Sequence, residues 1–425
     1  MLTLSGAGQP QNGVGIEERF VISVKTDNAG TSLDNEFTLP WIGTYDVDWG
    51  DGNKQTGVTN SQTHTYNTSG TYEVKVKATT GRILFENSGD RSKLLDIKNW
   101  GTCQWTNMGG AFFSCTGLTD VTAVDIPNFS ITTNLAAAFM SCINMTSLDV
   151  SSWDVSNIVQ MANGWSSGTF QGCSSLTTLD VSSWDVSNVN QMQYLFQGCS
   201  SLSNLNVSNW DVSSVSLIRF LVEGCSSLTT LDVSSWDVSS VTTMRNIFAN
   251  TGITSLDVSN WNTPNLSNMT YWIVGSPISG LIDVSNWDVS NVSSMLFGLS
   301  NNDSAQLIIP SLANWNIGNI TSWTNFMRGE EGLSIEDYNA TLISWAAQTP
   351  KLNQSVSFSN SQYSYEAAAA RQSLIDDYGW TITDGGQVVA PEFVFSINTE
   401  NISSGSSDLN QFKLPIQGPS TINSL

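Results

Sequence analysis

Apolar positions recur through the middle of the chain in two interleaved periods. In the first, Val189, Met192 and Phe196 stand at i, i+3 and i+7, the spacing that lines one face of a short helix. The same column reads Val215, Ile218, Val222, then Val241, Met244, Phe248, then Leu266, Met269, Ile273. It reaches outward to Trp105, Met108, Phe112 and to Ile320, Trp323, Met327. Ser187 and Asn188, just ahead of it, are suitable N-caps. The second period is Leu176-x-x-Leu179-x-Val181, repeated at Leu202, Leu205, Val207 and at Leu228, Leu231, Val233. Alternating apolar residues of that kind point to one side of a short strand. Each unit is thus expected to supply one strand and one short helix.

The units are copies of one another. Gly172 to Ser187 and Gly224 to Ser239 are identical at all sixteen positions. Looser copies place Trp153, Trp210, Trp261, Trp287 and Trp315 where those two place Trp184 and Trp236. Successive tryptophans are 31, 26, 26, 25, 26 and 28 residues apart. A unit this short cannot close a core alone and has to bury its apolar face against its neighbours. The expectation is an α/β leucine-rich-repeat-like solenoid over residues 81–328, with about nine coils of about 26 residues.

The flanks differ. After an N-terminal segment, 1–19, short alternating runs broken by Gly, Asn and Asp clusters fill 20–80 and predict a β-sandwich domain. Residues 329–386 read as a C-terminal cap. There Ser334 followed by Asp337 is a capping-box-like start, and Glu366 to Tyr378 is an alanine-rich helix stopped by Gly379. Beyond a linker at 387–392, Phe393 to Thr399 echoes Phe20 to Thr26, and Phe412 to Pro415 echoes Phe37 to Pro40. The echo predicts a truncated second copy of the first module over 393–425, and a longer parent protein.

Two resemblances follow from these residues. The phrase Phe-x-Gly-Cys-Ser-Ser-Leu-x-x-Leu-Asp-Val-Ser-x-Trp-Asp-Val-Ser resembles the BspA-type leucine-rich-repeat surface proteins over roughly residues 100–328. Val47-Asp48-Trp49-Gly50-Asp51-Gly52, followed by His64-Thr65-Tyr66 and Gly70 to Val76, resembles the polycystic-kidney-disease (PKD) type of immunoglobulin-like domain. The resemblances imply a surface-displayed protein in which the first module is a spacer or interaction domain. They imply a structural strand-edge role for His64, and a turn role for Asp48 and Asp51 with a weaker calcium alternative.

Charge narrows the partners. Acids outnumber bases 37 to 15 and only 12 % of residues are charged, about half the usual share. A formal charge of −22 argues against nucleic acid and anionic lipid as partners. No apolar run approaches the roughly 20 residues of a membrane span, and Met1 to Phe20 does not read as a signal peptide. The uncharged polar composition nevertheless suits an extracellular setting: a cell surface whose leader is already removed, another export route, or a virion. With His64 the single histidine, no multi-histidine metal site exists.

Three ladders are the candidate chemistry. Cys142, Cys173, Cys199 and Cys225, with Cys115 before them, recur in one register, and Thr251 and Ser276 continue it. The slot suits buried free thiols, with rung-to-rung disulfides as the alternative. Asp149, Asp180, Asp232, Asp257 and Asp283, with Asn206 in the row, point outward from the strand face. They are candidates for weak binding along that face, with calcium the one cofactor such a row would take. A second row, Asp154, Asp185, Asp211, Asp237 and Asp288, reads as turn formers. The seven tryptophans are either a core stack or an exposed aromatic row for sugars.

Taken together, the expected function is non-catalytic recognition or adhesion at an extracellular, cell or virion surface. Its partner would be a polymer, glycan or host surface protein. A phage appendage is the alternative setting. A glycoside hydrolase or lyase is the rival class, disfavoured because catalysis needs unlike acids and these are copies.

Overall fold

The computed structural model describes residues 17–164, 167–300, 307–329 and 332–388. Its contacts gather into one compact unit, Met1–Gln387, and a second, Val388–Leu425. The expected second copy at 393–425 lies outside the described residues, as does most of the linker at 387–392.

The N-terminal strands are β1 (Phe20–Lys25), β2 (Glu36–Leu39), β3 (Trp41–Ile42), β4 (Thr44–Asp48), β5 (Lys54–Thr59), β6 (Gln62–Thr65), β7 (Thr71–Lys77) and β8 (Thr80–Ile83). Three more follow: β9 (Leu94–Asn99), β10 (Gln104–Trp105) and β11 (Asp120–Val121). The largest sheet has the order β11-β9-β1-β7-β4-β5, while β2 and β6 pair separately and β3, β8 and β10 make a third sheet. β1 is apolar at nearly every position because neighbours cover both its faces. Its antiparallel partner β9 and the parallel β9–β11 pairing carry this sheet past residue 80 into the repeat region. One hydrophobic core runs through both.

The repeats correct the expected architecture. Between Lys93 and Ser334 the described residues contain no helix. The regular structure is mostly strand, in several small separate sheets, and an α/β leucine-rich-repeat solenoid is not what the chain forms. The backbone hydrogen bonds give the reason. Met192, Tyr194, Phe196 and Gly198 donate their N–H to Leu217, Arg219, Leu221 and Glu223 of the next repeat. The alternate residues Leu195, Gln197 and Cys199 donate back three residues, to Met192, Tyr194 and Phe196. Half the donors a helix would need are therefore spent between repeats. Tyr194, Phe220, Asn246, Tyr271 and Phe297 also take φ between 51° and 62°, which no right-handed helix accommodates. The Val/Met/Phe column is buried, but on stacked turns.

The leucine run is equally short of regular pairing. Thr178 bridges singly to Ser147 and Asn204, and no strand extends from it. Among the described residues between β11 and Ser334 the only strands are β12 (Gly280–Leu281) and β13 (Leu307–Ile308), paired in parallel.

The C-terminal segment holds α1 (Ile335–Ala346), β14 (Ser355–Ser357), α2 (Tyr365–Asp376) and β15 (Thr381–Thr383). Ser334 caps α1 by accepting from the Asp337 N–H, and Ser364 caps α2. Gly379, at φ 69°, follows the end of α2. Asp384 ties the pieces together: it accepts from Arg371 Nε at 2.8 Å and from the Tyr338 hydroxyl at 2.7 Å.

Candidate functional site

The repeats of Trp153, Trp184, Trp236 and Trp287 contain the sequence Asp-Val-Ser twice, those of Trp210 and Trp261 once, and the two acid rows are two uses of one local motif. Asp149, Asp180, Asp232, Asp257 and Asp283 each accept, through Oδ1, the backbone N–H of the serine two residues on at 3.0–3.1 Å. The same serine's hydroxyl donates at 2.6–2.7 Å. Asp154, Asp185, Asp211, Asp237 and Asp288 repeat the N–H contact with Ser156, Ser187, Ser213, Ser239 and Ser290. A short acid accepts from its own backbone two residues ahead because a turn leaves that donor free. The serine hydroxyl, then its N–H, holds Asp180, Asp185, Asp237 and Asp257 below the ordinary carboxylate value. These side chains lie in solvent, so the shift carries little stability.

The first row borders a trough. Leu205, Leu231 and Leu256, each 4–6 % exposed, form its floor. Asn206, Asp232 and Asp257 line one side, and Asn204, Thr230 and Ser255 the other. Its volume is about 630 Å³. Leu281 stands at one end, 60 % exposed, and pairs with Ile308, 61 % exposed. Three successive repeats supply equivalent side chains to one continuous depression. The composite was not legible from the sequence, because the outward Thr/Asn/Ser column looks like ordinary polar surface. Leu281 and Ile308 break that column and were the available signal.

The other ladders lie inside. All seven repeat tryptophans are at most 3 % exposed. Trp184, Trp210, Trp236 and Trp261 stack with centroids 6.4–6.5 Å apart and planes within 3°. From Trp184 to Trp315, each indole N–H donates to a valine carbonyl of the preceding repeat, from Val150 to Val284. Trp153, at the start, has no partner for its indole N–H. Such a row offers no ring faces to a sugar.

The six cysteines are buried and unpaired. Cys142, Cys173, Cys199 and Cys225 donate Sγ–H at 3.0–3.1 Å to the carbonyls of Phe112, Phe139, Phe170 and Phe196, each one repeat back. Ser276 uses its hydroxyl in the same way on Phe248. The slot therefore selects a small donor, which unites Cys, Thr and Ser in one column. Burial pushes the thiols of Cys115, Cys142, Cys173 and Cys199 well above their ordinary value and that of Cys225 up to about 12. Thiolates are the reactive form. Native protein should therefore react negligibly with a thiol reagent at neutral pH, and the unfolded, unreduced chain should titrate as six thiols. Fewer than six would mean that neighbouring repeats are cross-linked.

In the first module His64 Nε2 lies 2.9 Å from Asp51 Oδ2, and its ring stacks on Trp49 at 4.9 Å. Burial raises the Asp51 carboxyl, but the His64 and Asn53 hydrogen bonds outweigh it and leave it at about 2. Gly50 takes φ 84° in this turn, and a Cβ there would come within 2.5 Å of the Glu73 carbonyl oxygen. Asp48 accepts from the Gly50 N–H and pairs with Lys54. Among the described residues no three His, Cys, Asp or Glu side chains gather as a metal site. No helix among them is long and apolar enough to cross a membrane.

No curated protein and no solved structure matches the chain. The family described as "Mycoplasma protein of unknown function, DUF285" matches at residues 82–169, 164–279 and 281–369. These matches take in well over half of the sequence, and the chain belongs to the DUF285 family.

Proposed function

We propose that this protein is a non-catalytic recognition or adhesion protein, displayed at a cell or virion surface, that holds an extended polymer along the trough of its repeats. The trough carries the reading: three successive repeats present the same three kinds of side chain to one depression. Many similar small contacts in a line suit a ligand that itself repeats. The resemblance to BspA-type surface proteins adds weight to the setting. Hydrolysis is disfavoured by the acids themselves, since Asp232 and Asp257 sit in the same turn with the same serine contacts. A glycosidase needs two carboxyls whose environments drive them apart.

Filling the trough tests this. The double variant Thr230→Trp/Ser255→Trp replaces two exposed wall residues and should leave the fold intact. Full-length parent and variant would be passed over immobilised cationic, neutral and anionic polymers. The polymer retained by the parent should lose at least about tenfold in affinity for the variant, a difference of about 1.4 kcal/mol. Equal retention of both proteins, or cleavage of the polymer, overturns the reading.

A further inference from the structure

The trough is electrostatically one-sided. Residues 100–327 contain fourteen acids and two bases, Arg219 and Arg245. Those two lie over the rings of Tyr194 and Phe220 and do not line the trough. Its charged residues are Asp232 and Asp257. Each commits Oδ1 to its own turn, and among the described residues Oδ2 has no intramolecular partner. The turn does not require that charge. Asn206, next in the same row, accepts from the Ser208 N–H at 3.2 Å and its hydroxyl at 2.9 Å. An amide therefore builds the same loop without a charge. The carboxylates are surplus to folding, and they repel one another along the row.

Resting on the polymer-binding reading above, we infer that the trough's occupant is an extended, lysine- or arginine-rich polypeptide. Its ammonium or guanidinium heads meet Oδ2 of Asp232 and Asp257 while its methylene stems lie on Leu205, Leu231 and Leu256. Long basic side chains combine an apolar stem with a charged tip, and the trough has an apolar floor beside a charged rim. A neutral glycan would leave the acids unanswered. An amino-sugar polymer would supply charge without the stem.

The experiment compares the full chain with two double variants of equal charge. Asp232→Asn/Asp257→Asn alters the trough. Asp211→Asn/Asp237→Asn alters the second row, which does not line it and where Asn316 already accepts from the Gly318 N–H. Probes are poly-L-lysine, chitosan oligosaccharide and dextran near physiological salt. Thermal melting should be unchanged in both variants. Poly-L-lysine affinity should fall about five- to tenfold in the trough variant, and the loss should shrink as salt rises. In the second-row variant it should fall by no more than about twofold. Equal weakening in both variants means diffuse charge attraction and overturns the inference. So does dextran or chitosan bound more tightly than poly-L-lysine and lost on filling the trough with Thr230→Trp/Ser255→Trp, although that result leaves the polymer-binding reading standing. If no probe's binding responds to filling the trough, both fall.

Discussion

Lys93→Met is expected to destabilise the N-terminal sheets by about 3–5 kcal/mol, the usual cost of leaving a buried charge without its partner. Lys93 is fully buried. Its ammonium donates to the carbonyl oxygens of Ser32, Leu33 and Glu36 at 2.8–3.3 Å and to the Ser32 hydroxyl at 2.8 Å. Asp90, also buried, accepts from the N–H groups of Thr31, Ser32 and Thr38 and from the Ser32 hydroxyl. Between them the two residues hold the loop that leads from β1 to β2. Packing around them leaves no slack: a Cβ on Gly30 would come within 2.5 Å of Asp90 Oδ1. Methionine keeps the stem's volume but orphans three carbonyls and isolates the Asp90 charge. Asp90→Asn combined with Lys93→Met should recover part of the loss, because it removes that charge. Denaturant unfolding of the full chain followed by tryptophan fluorescence reads the effect. A Lys93→Met midpoint equivalent to less than about 1 kcal/mol of destabilisation would show that this hub does not hold the loop.

The same hub sets an acid limit. Burial raises the Asp90 carboxyl, but Ser32, the Thr38 N–H and the Lys93 charge outweigh it and leave its folded value below the ordinary 3.8. A depressed folded value means that the stabilisation is complete above the unfolded value. It is lost as pH falls through the folded one.

How much of this was legible depends on which force decides each feature. The repeat, the buried Leu, Val and Met columns and the turn role of the second acid row follow from spacing and hydropathy alone. The helix was misread because i, i+3, i+7 spacing reports which side chains are buried and not where the N–H groups go. From Tyr194 to Cys199, residues donate alternately to the next repeat and back three residues, and the Val189, Met192, Phe196 column leading into that stretch has the same apolar signature as one helical face. Lys93 gave no signal, since lysine is among the residues least often fully buried. Its partners are backbone atoms some sixty residues earlier in sequence. The trough is hidden for another reason: it is a property of three repeats side by side, and each contributes to it only one leucine between two ordinary polar residues.

Within the stack, Trp236→Ala should cost about 3–5 kcal/mol, the range for emptying a large aromatic site in a core. Trp236 is 2 % exposed and lies between Trp210 and Trp261, with both centroids 6.5 Å away. Its indole N–H also donates to the Val207 carbonyl at 3.1 Å. Trp236→Phe separates these contributions. It keeps most of the buried ring but removes the donor, and the Val207 carbonyl retains the Trp210 N–H as a second partner. The expected cost is about 1–2 kcal/mol, for the lost hydrogen bond and the smaller ring. Trp153 supplies the internal control. It occupies the same register but its indole N–H has no partner, so Trp153→Phe gives up no bond and should cost less than Trp236→Phe. Urea unfolding of the three variants ranks them. If Trp153→Phe proves as damaging as Trp236→Phe, the indole-to-valine bond contributes nothing, and the tryptophan column acts between repeats through ring packing alone.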